Sequence, residues 1–231
     1  VRGGDGVKTP FFATVLAVLR KDLQAELRSR ELVGSMALFA LLSIMIFSFA
    51  LELDRIARVE AVAGVLWVTV VFASVLGLNR SLAMERDQGN LDALLLAPVD
   101  RTAIFFGKMV GNFIFTLVVG LVLIVLMTIL YNVTLTQGWL LLVLTLGTLG
   151  FSTVGTLLAT MTVQTRARES LLPIVMMPVA LPLLLSAVRA TTGILNDAPQ
   201  DSWLSWVQIL AVLDVIFMTI CFLLFEFVIE E

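Results

Sequence analysis

The chain has 231 residues, of which 59% are hydrophobic and only 14% charged, against roughly 45–50% and about 25% in soluble domains. Its mean hydropathy of +1.03 points to a chain that dissolves in lipid, and its net charge of −3 says little about partners, because the position of each charge matters more than the sum. It has no histidine and one cysteine, Cys221, inside an apolar run; this excludes an intrachain disulfide and removes the commonest general base, metal ligand and axial haem ligand.

Residues 1–8 are polar and Gly-rich and are expected to be loose. Thr9-Pro10 then suits a helix start, with Pro at the first helical position. From 9 to 31, Phe12, Val15, Leu16, Leu19, Leu23 and Leu27 share one face, with Arg20, Lys21, Asp22, Glu26, Arg28 and Arg30 around the rest. Such a helix is expected to lie in the membrane interface with its stripe in the acyl region; the alternative is an ordinary cytosolic helix packing on a partner. No cleavable signal peptide is expected, because the first apolar run begins only near residue 32 and is too long for a signal core.

Six apolar segments follow, at about 32–51, 61–78, 109–131, 139–163, 171–188 and 207–228. Each is long enough to span a bilayer, which predicts an all-α integral membrane protein whose single domain uses the whole chain. Pro173, Pro178 and Pro182 interrupt the fifth segment; a bent span is favoured there over a re-entrant one, since proline frees backbone carbonyls that neighbours must satisfy. Asp214 is the one ionisable residue well inside a segment. It either contributes a polar contact on a substrate or subunit path, or sits near the outer interface if the span starts later than drawn.

Counting Lys and Arg sets twelve on the side of the N-terminal segment, the 79–108 loop and the 164–170 loop against three on the other side. Both termini and the central loop are therefore expected in the cytoplasm. Tyr131, Trp139, Trp203 and Trp206 then fall near the outer interface, as an aromatic belt should. Gly107-xxx-Gly111 and Gly155-xxx-Ala159 are small-residue spacings of low specificity.

The chemistry an enzyme would need is missing. Without histidine there is no HExxH site or Ser-His dyad, no span carries a close pair of acids, and no GxxxxGK[ST] phosphate loop occurs. The expected role is a non-catalytic membrane subunit, with no cofactor of its own and no contact with nucleic acid. The polar break at 79–108 is where a soluble partner would grip. Glu85 precedes a Gly89-Asn90 turn, with Asn90 as N-cap and Asp92 in the first turn of a short helix. Leu91, Leu94 and Leu95 form its apolar face and Pro98 ends it. So short a helix is marginal alone; it either docks into a cytosolic protein or tucks its leucines under the lipid headgroups.

The run ERDQGNLDALLLAPVDR within 85–108 resembles the cytoplasmic loop of ABC-2-type permeases, whose coupling helix meets an ATPase. Three further stretches, 21–31, Gly64-Val65-Leu66-Trp67-Val68 and 172–184, are similar to the CcmB family within that group. The resemblance covers nearly the whole chain in order. It implies a permease in the bacterial inner membrane, paired through 85–98 with a CcmA-like ATPase that binds the ATP. It further implies CcmC-, CcmD- and CcmE-like membrane partners, a second copy of the chain, and haem as cargo of the complex, with ATP hydrolysis releasing a haem-loaded CcmE-like chaperone. An ABC-2 permease for a drug, lipid or polysaccharide is the nearest alternative, and a non-transporting membrane scaffold the next.

Overall fold

A computed structural model describes residues 10–50, 55–87, 101–162 and 168–228. The described residues form seven helices and no strand: α1 Phe11–Ser29, α2 Glu31–Ala50, α3 Arg55–Asp87, α4 Arg101–Tyr131, α5 Gly138–Thr162, α6 Arg168–Leu195 and α7 Gln200–Val228. All but α1 contain a stretch long and apolar enough to cross a membrane. The six-span expectation is met in number. The helices, however, run past the apolar limits on which the expectation was drawn: α3 continues to Asp87 and α4 starts at Arg101, so much of 79–108 is helical extension. The reason is that helix hydrogen bonds are internal to the backbone and do not stop where side chains turn polar. Segment 171–188 likewise lengthens to a continuous helix, Arg168–Leu195, through all three prolines.

Without a hydrophobic drive between helices in lipid, association depends on close packing and interhelical hydrogen bonds. The least polar helices are not the most central. In α3 and α5, 72% of the span is buried within the protein, whereas only 22% of α2 and of α7 is. The spans of α2 and α7 turn Leu38, Leu42, Ile46 and Phe49, and Val212, Val215, Ile216 and Leu223, outward. The centre is α5, which packs against α3, α4, α6 and α7.

Glycines make α5 the hub. A Cβ at Gly147 would run into the ring of Trp67 on α3, and one at Gly155 into Leu78 of the same helix. Trp67 is fully buried, and its Nε1 donates to Thr191 Oγ1 of α6 at 2.9 Å. One indole thus fills a notch in α5 and ties α3 to α6. Lower in the bundle, Asn112 Nδ2 of α4 donates to Thr156 Oγ1 of α5 at 3.1 Å. Other hydroxyls turn back on their own helix, as Thr148 does to the Leu144 carbonyl at 2.8 Å and Ser186 to that of Pro182 at 2.8 Å.

The two ends differ in chemistry. At one, Trp139 at the start of α5 and Trp203 at the start of α7 meet edge to face, with ring centroids 5.2 Å apart. The tight return from α6 to α7 is made there by Gly193, against which the Cβ of Trp203 packs, and by Trp203 Nε1 donating to the Ala198 carbonyl at 3.2 Å. At the other end, Arg80 near the foot of α3 pairs with Glu31 at the head of α2 at 2.8 Å, both well exposed.

Gly147→Ala is expected to lower the melting temperature in detergent sharply, since the added Cβ would run into the ring of the fully buried Trp67. Trp67→Ala is expected to cost about 3–5 kcal/mol. A Cβ added at Gly64 would meet nothing within 4 Å, so Gly64→Ala serves as the control and is expected to be neutral or stabilising by under about 1 kcal/mol.

Candidate functional site

The site expected from the sequence straddles the described residues. Gly89, Asn90, Leu91, Asp92, Leu94, Leu95 and Pro98 lie outside them, and Glu85 falls in the last turns of α3, where the backbone is helical. What is described is the platform on either side: α3 leads into 88–100, α4 leads out, and α1 lies against the first turns of α4.

The seat of α1 begins at the Gly107-xxx-Gly111 spacing. A Cβ at Gly107 would come within 2.7 Å of the Val18 Cβ and 3.1 Å of the Val15 carbonyl oxygen, so the α1 backbone rests directly on α4. One turn on, Gly111 faces Leu19 and Asp22. Between these glycines Lys108 Nζ reaches Asp22 Oδ2 at 2.8 Å, with side chains only 9% and 13% exposed. Lys21 Nζ flanks the same carboxylate at 3.2 Å. Phe11 and Phe106 close the contact with ring centroids 6.0 Å apart.

The apolar stripe of α1 is therefore divided. Val15, Leu19 and Leu23 are partly covered by the protein, whereas Phe12, Leu16 and Leu27 are exposed. The sequence led to a stripe facing the acyl region as a whole; half of it instead packs on a neighbouring helix, because Gly107 and Gly111 let that helix come close.

The C-terminal end of α1 is fastened to α2. Arg30 takes a left-handed conformation, φ 54°, and its N–H donates to the Glu26 carbonyl at 2.7 Å. That reversal lets the buried Glu26 carboxylate accept from two amides of the first turn of α2 that the helix itself leaves unpaired, Val33 N at 2.8 Å and Leu32 N at 3.2 Å. An anion at this helix start complements the helix dipole as well. Glu26 looks like one more charge on the polar face in the sequence. Only its burial reveals the cap.

The remaining expected residues lie away from this platform. Pro173, Pro178 and Pro182 are inside α6. Asp214 stands halfway along α7 and is 5% exposed; its neighbours are Gly150 of α5 and Leu183 of α6. The structure does not bring these groups together with α1 or the foot of α4. Sequence reasoning missed Asp22, Lys108 and Glu26 as a set. The available signal was Lys108 between two spaced glycines, in a stretch otherwise bound for the membrane.

Asp22→Leu is expected to destabilise by about 3 kcal/mol, the usual cost of stripping one partner from a buried pair. Lys108→Met should cost less, because Lys21 still faces the carboxylate, and the double variant should recover part of the Asp22→Leu loss. Thermal unfolding of the three variants in detergent measures this coupling.

A family model described as "CcmB protein" matches residues 13–228. The chain is 29% identical over 192 residues to heme exporter protein B of Rhodobacter capsulatus, covering 79% of this chain and 86% of that protein. It is 27% identical over 175 residues to heme exporter protein B of Paracoccus denitrificans, covering 75% and 80% respectively. The family match takes in nearly all of α1, all six apolar helices and the segment between α3 and α4, and the chain is a multi-pass membrane protein that belongs to the CcmB family.

Proposed function

We propose that this protein is the membrane permease subunit of an ABC-type complex that exports or handles haem during cytochrome c maturation. The observation that carries the reading is the family match along 13–228, together with two relatives named heme exporter protein B. In this reading 85–98 is the coupling element. Leu91, Leu94 and Leu95 enter a cleft on a CcmA-like ATPase, Gly89 and Asn90 make the entering turn, and Pro98 stops the helix. Both termini and this element face the cytoplasm of a bacterial inner membrane. The ATPase holds the ATP, this chain holds no cofactor of its own, and haem is the cargo of the complex.

The platform gives the coupling element a mechanical context. Segment 88–100 joins α3 to α4 directly, and α1 is clamped to α4 through Lys108 and Asp22 at 2.8 Å. A push on the segment therefore moves α4 and α1 as a unit, and α2 follows through the Glu26 cap. Phe12, Leu16 and Leu27, exposed beside Arg20 and Lys21, suit the remaining face of α1 to the headgroup–acyl boundary. A second copy of the chain completes the transporter, and CcmC- and CcmD-like proteins accompany it. ATP hydrolysis then releases a haem-loaded CcmE-like chaperone.

Affinity purification from native membranes, followed by protein identification and a haem stain, tests the reading. Recovery of an ABC ATPase with CcmC- and CcmE-like proteins and haem is expected; an ATPase without them redirects the cargo assignment, and no ATPase removes the permease role. Leu94→Asp and Gly89→Pro are each expected to abolish ATPase co-purification while leaving membrane insertion unchanged. Normal association of either variant would overturn the coupling-helix assignment.

A further inference from the structure

Asp214 has a setting that the transport reading does not use. It lies halfway along α7, a helix running Gln200–Val228, roughly 20 Å from either end at about 1.5 Å per residue. That places it near the middle of the hydrocarbon when the six spans lie in a bilayer. The residue is 5% exposed, and neither carboxyl oxygen has a hydrogen-bond partner among the described residues. Its Oδ1 occupies the space where a Cβ of residue 150 would stand, and Leu183 of α6 closes the same space from the other side. The carboxyl group is thus held by a glycine notch and an apolar side chain.

No cation among the described residues faces it. Helix α5 carries no ionisable side chain over Gly138–Thr162. On α6, Arg189 is six residues beyond Leu183, about 9 Å along the axis and roughly a third of a turn round it; Arg168 and Glu169 are at the far end of that helix. On α4, Lys108 is held by Asp22 at 2.8 Å, and Arg101 and Tyr131 stand at the two helix ends. On α7 itself, Asp201 and Glu226 are near opposite ends, and the Cys221 thiol, two turns away, donates to the Thr153 carbonyl at 3.8 Å. A partner helix cannot reach the carboxyl oxygens through Gly150 and Leu183. A metal ion would require several further oxygen ligands, and no group of three acidic, Cys or His residues occurs among the described residues.

A bare carboxylate without a counter-charge does not persist in such surroundings. We propose that Asp214 is a proton-binding site at the centre of the membrane domain, its carboxyl group holding a proton while the Gly150 contact is closed. The ligand is the smallest cation, the proton. Separation of α7 from α5 would admit water to the carboxyl group and let the proton leave as hydronium; closure would take one up again. Opening of this contact is then linked to proton release, and alkaline conditions favour the open arrangement. This inference rests on the spans lying in a bilayer and is independent of the cargo.

The test is infrared spectroscopy of the full-length protein in nanodiscs of neutral lipid at neutral pH, with carboxyl-¹³C aspartate incorporated to shift aspartate bands. The expected result is a protonated-carboxyl C=O stretch that moves with ¹³C, shifts in D₂O and is lost in Asp214→Asn. Asp214→Asn, neutral and of the same shape, is expected to keep the wild-type melting temperature. A wild-type spectrum with only ionised aspartate bands would overturn the proposal, and this arm does not depend on the variant folding. A folded Asp214→Asn that retains the protonated band would equally overturn it, by assigning the proton elsewhere.

Discussion

The bundle depends on how closely α3 and α6 approach α5, and Trp67 is where that approach is sharpest. In water a buried indole would contribute mainly through the surface it removes from solvent. Between helices already in lipid that contribution largely vanishes, and what is left is contact density and the hydrogen bond. Trp67 supplies both: its ring occupies the gap left by the missing side chain of Gly147, and its Nε1 donates to Thr191 at 2.9 Å. The polar atom of a large aromatic is satisfied by a second helix while its ring fits a third. Three helices are fixed by one side chain, and α4 and α7 arrange themselves around the same glycine-lined α5.

The same logic of small residues repeats at the edge of the domain with a different outcome. Gly107 and Gly111 admit α1, a helix that is not itself a span, to the flank of α4. The approach is close enough for Asp22 and Lys108 to meet with little solvent around them. Such a pair is weak evidence of stability, because desolvation offsets most of the attraction. It is good evidence of register: a shift of α1 by one residue would separate the charges and leave both poorly solvated. The Glu26 cap adds a second fixed point on α2. Pinned at both, α1 braces the first turns of α4 against the start of α2.

Much of this architecture was legible from the chain alone. Apolar runs of spanning length marked the six helices, and the placement of Trp139 and Trp203 anticipated an aromatic end, where the two rings do meet. The limits of the helices were less legible, since hydropathy records where side chains stop being apolar and not where backbone hydrogen bonding ends. Thus α3 carries Arg80 within its helix and pairs it with Glu31, instead of ending before it. The stripe on α1 was visible as a stripe, but its division between protein and exposed surface was not. That division depends on Gly107, far along the chain, being opposite Val18.

Composition and order therefore determined that this chain crosses the membrane repeatedly, that a charged amphipathic helix precedes the first crossing, and which polar segment interrupts the spans. These are properties of single residues summed over a window, and the bilayer reads them segment by segment. Tertiary structure alone decided which glycine receives which side chain, that Lys108 is half of a buried pair, that Glu26 is a cap, and that Asp214 faces Gly150. Each of these is a relation between residues brought together from different turns or different helices. It is set by the crossing geometry of two helices, which no local pattern encodes.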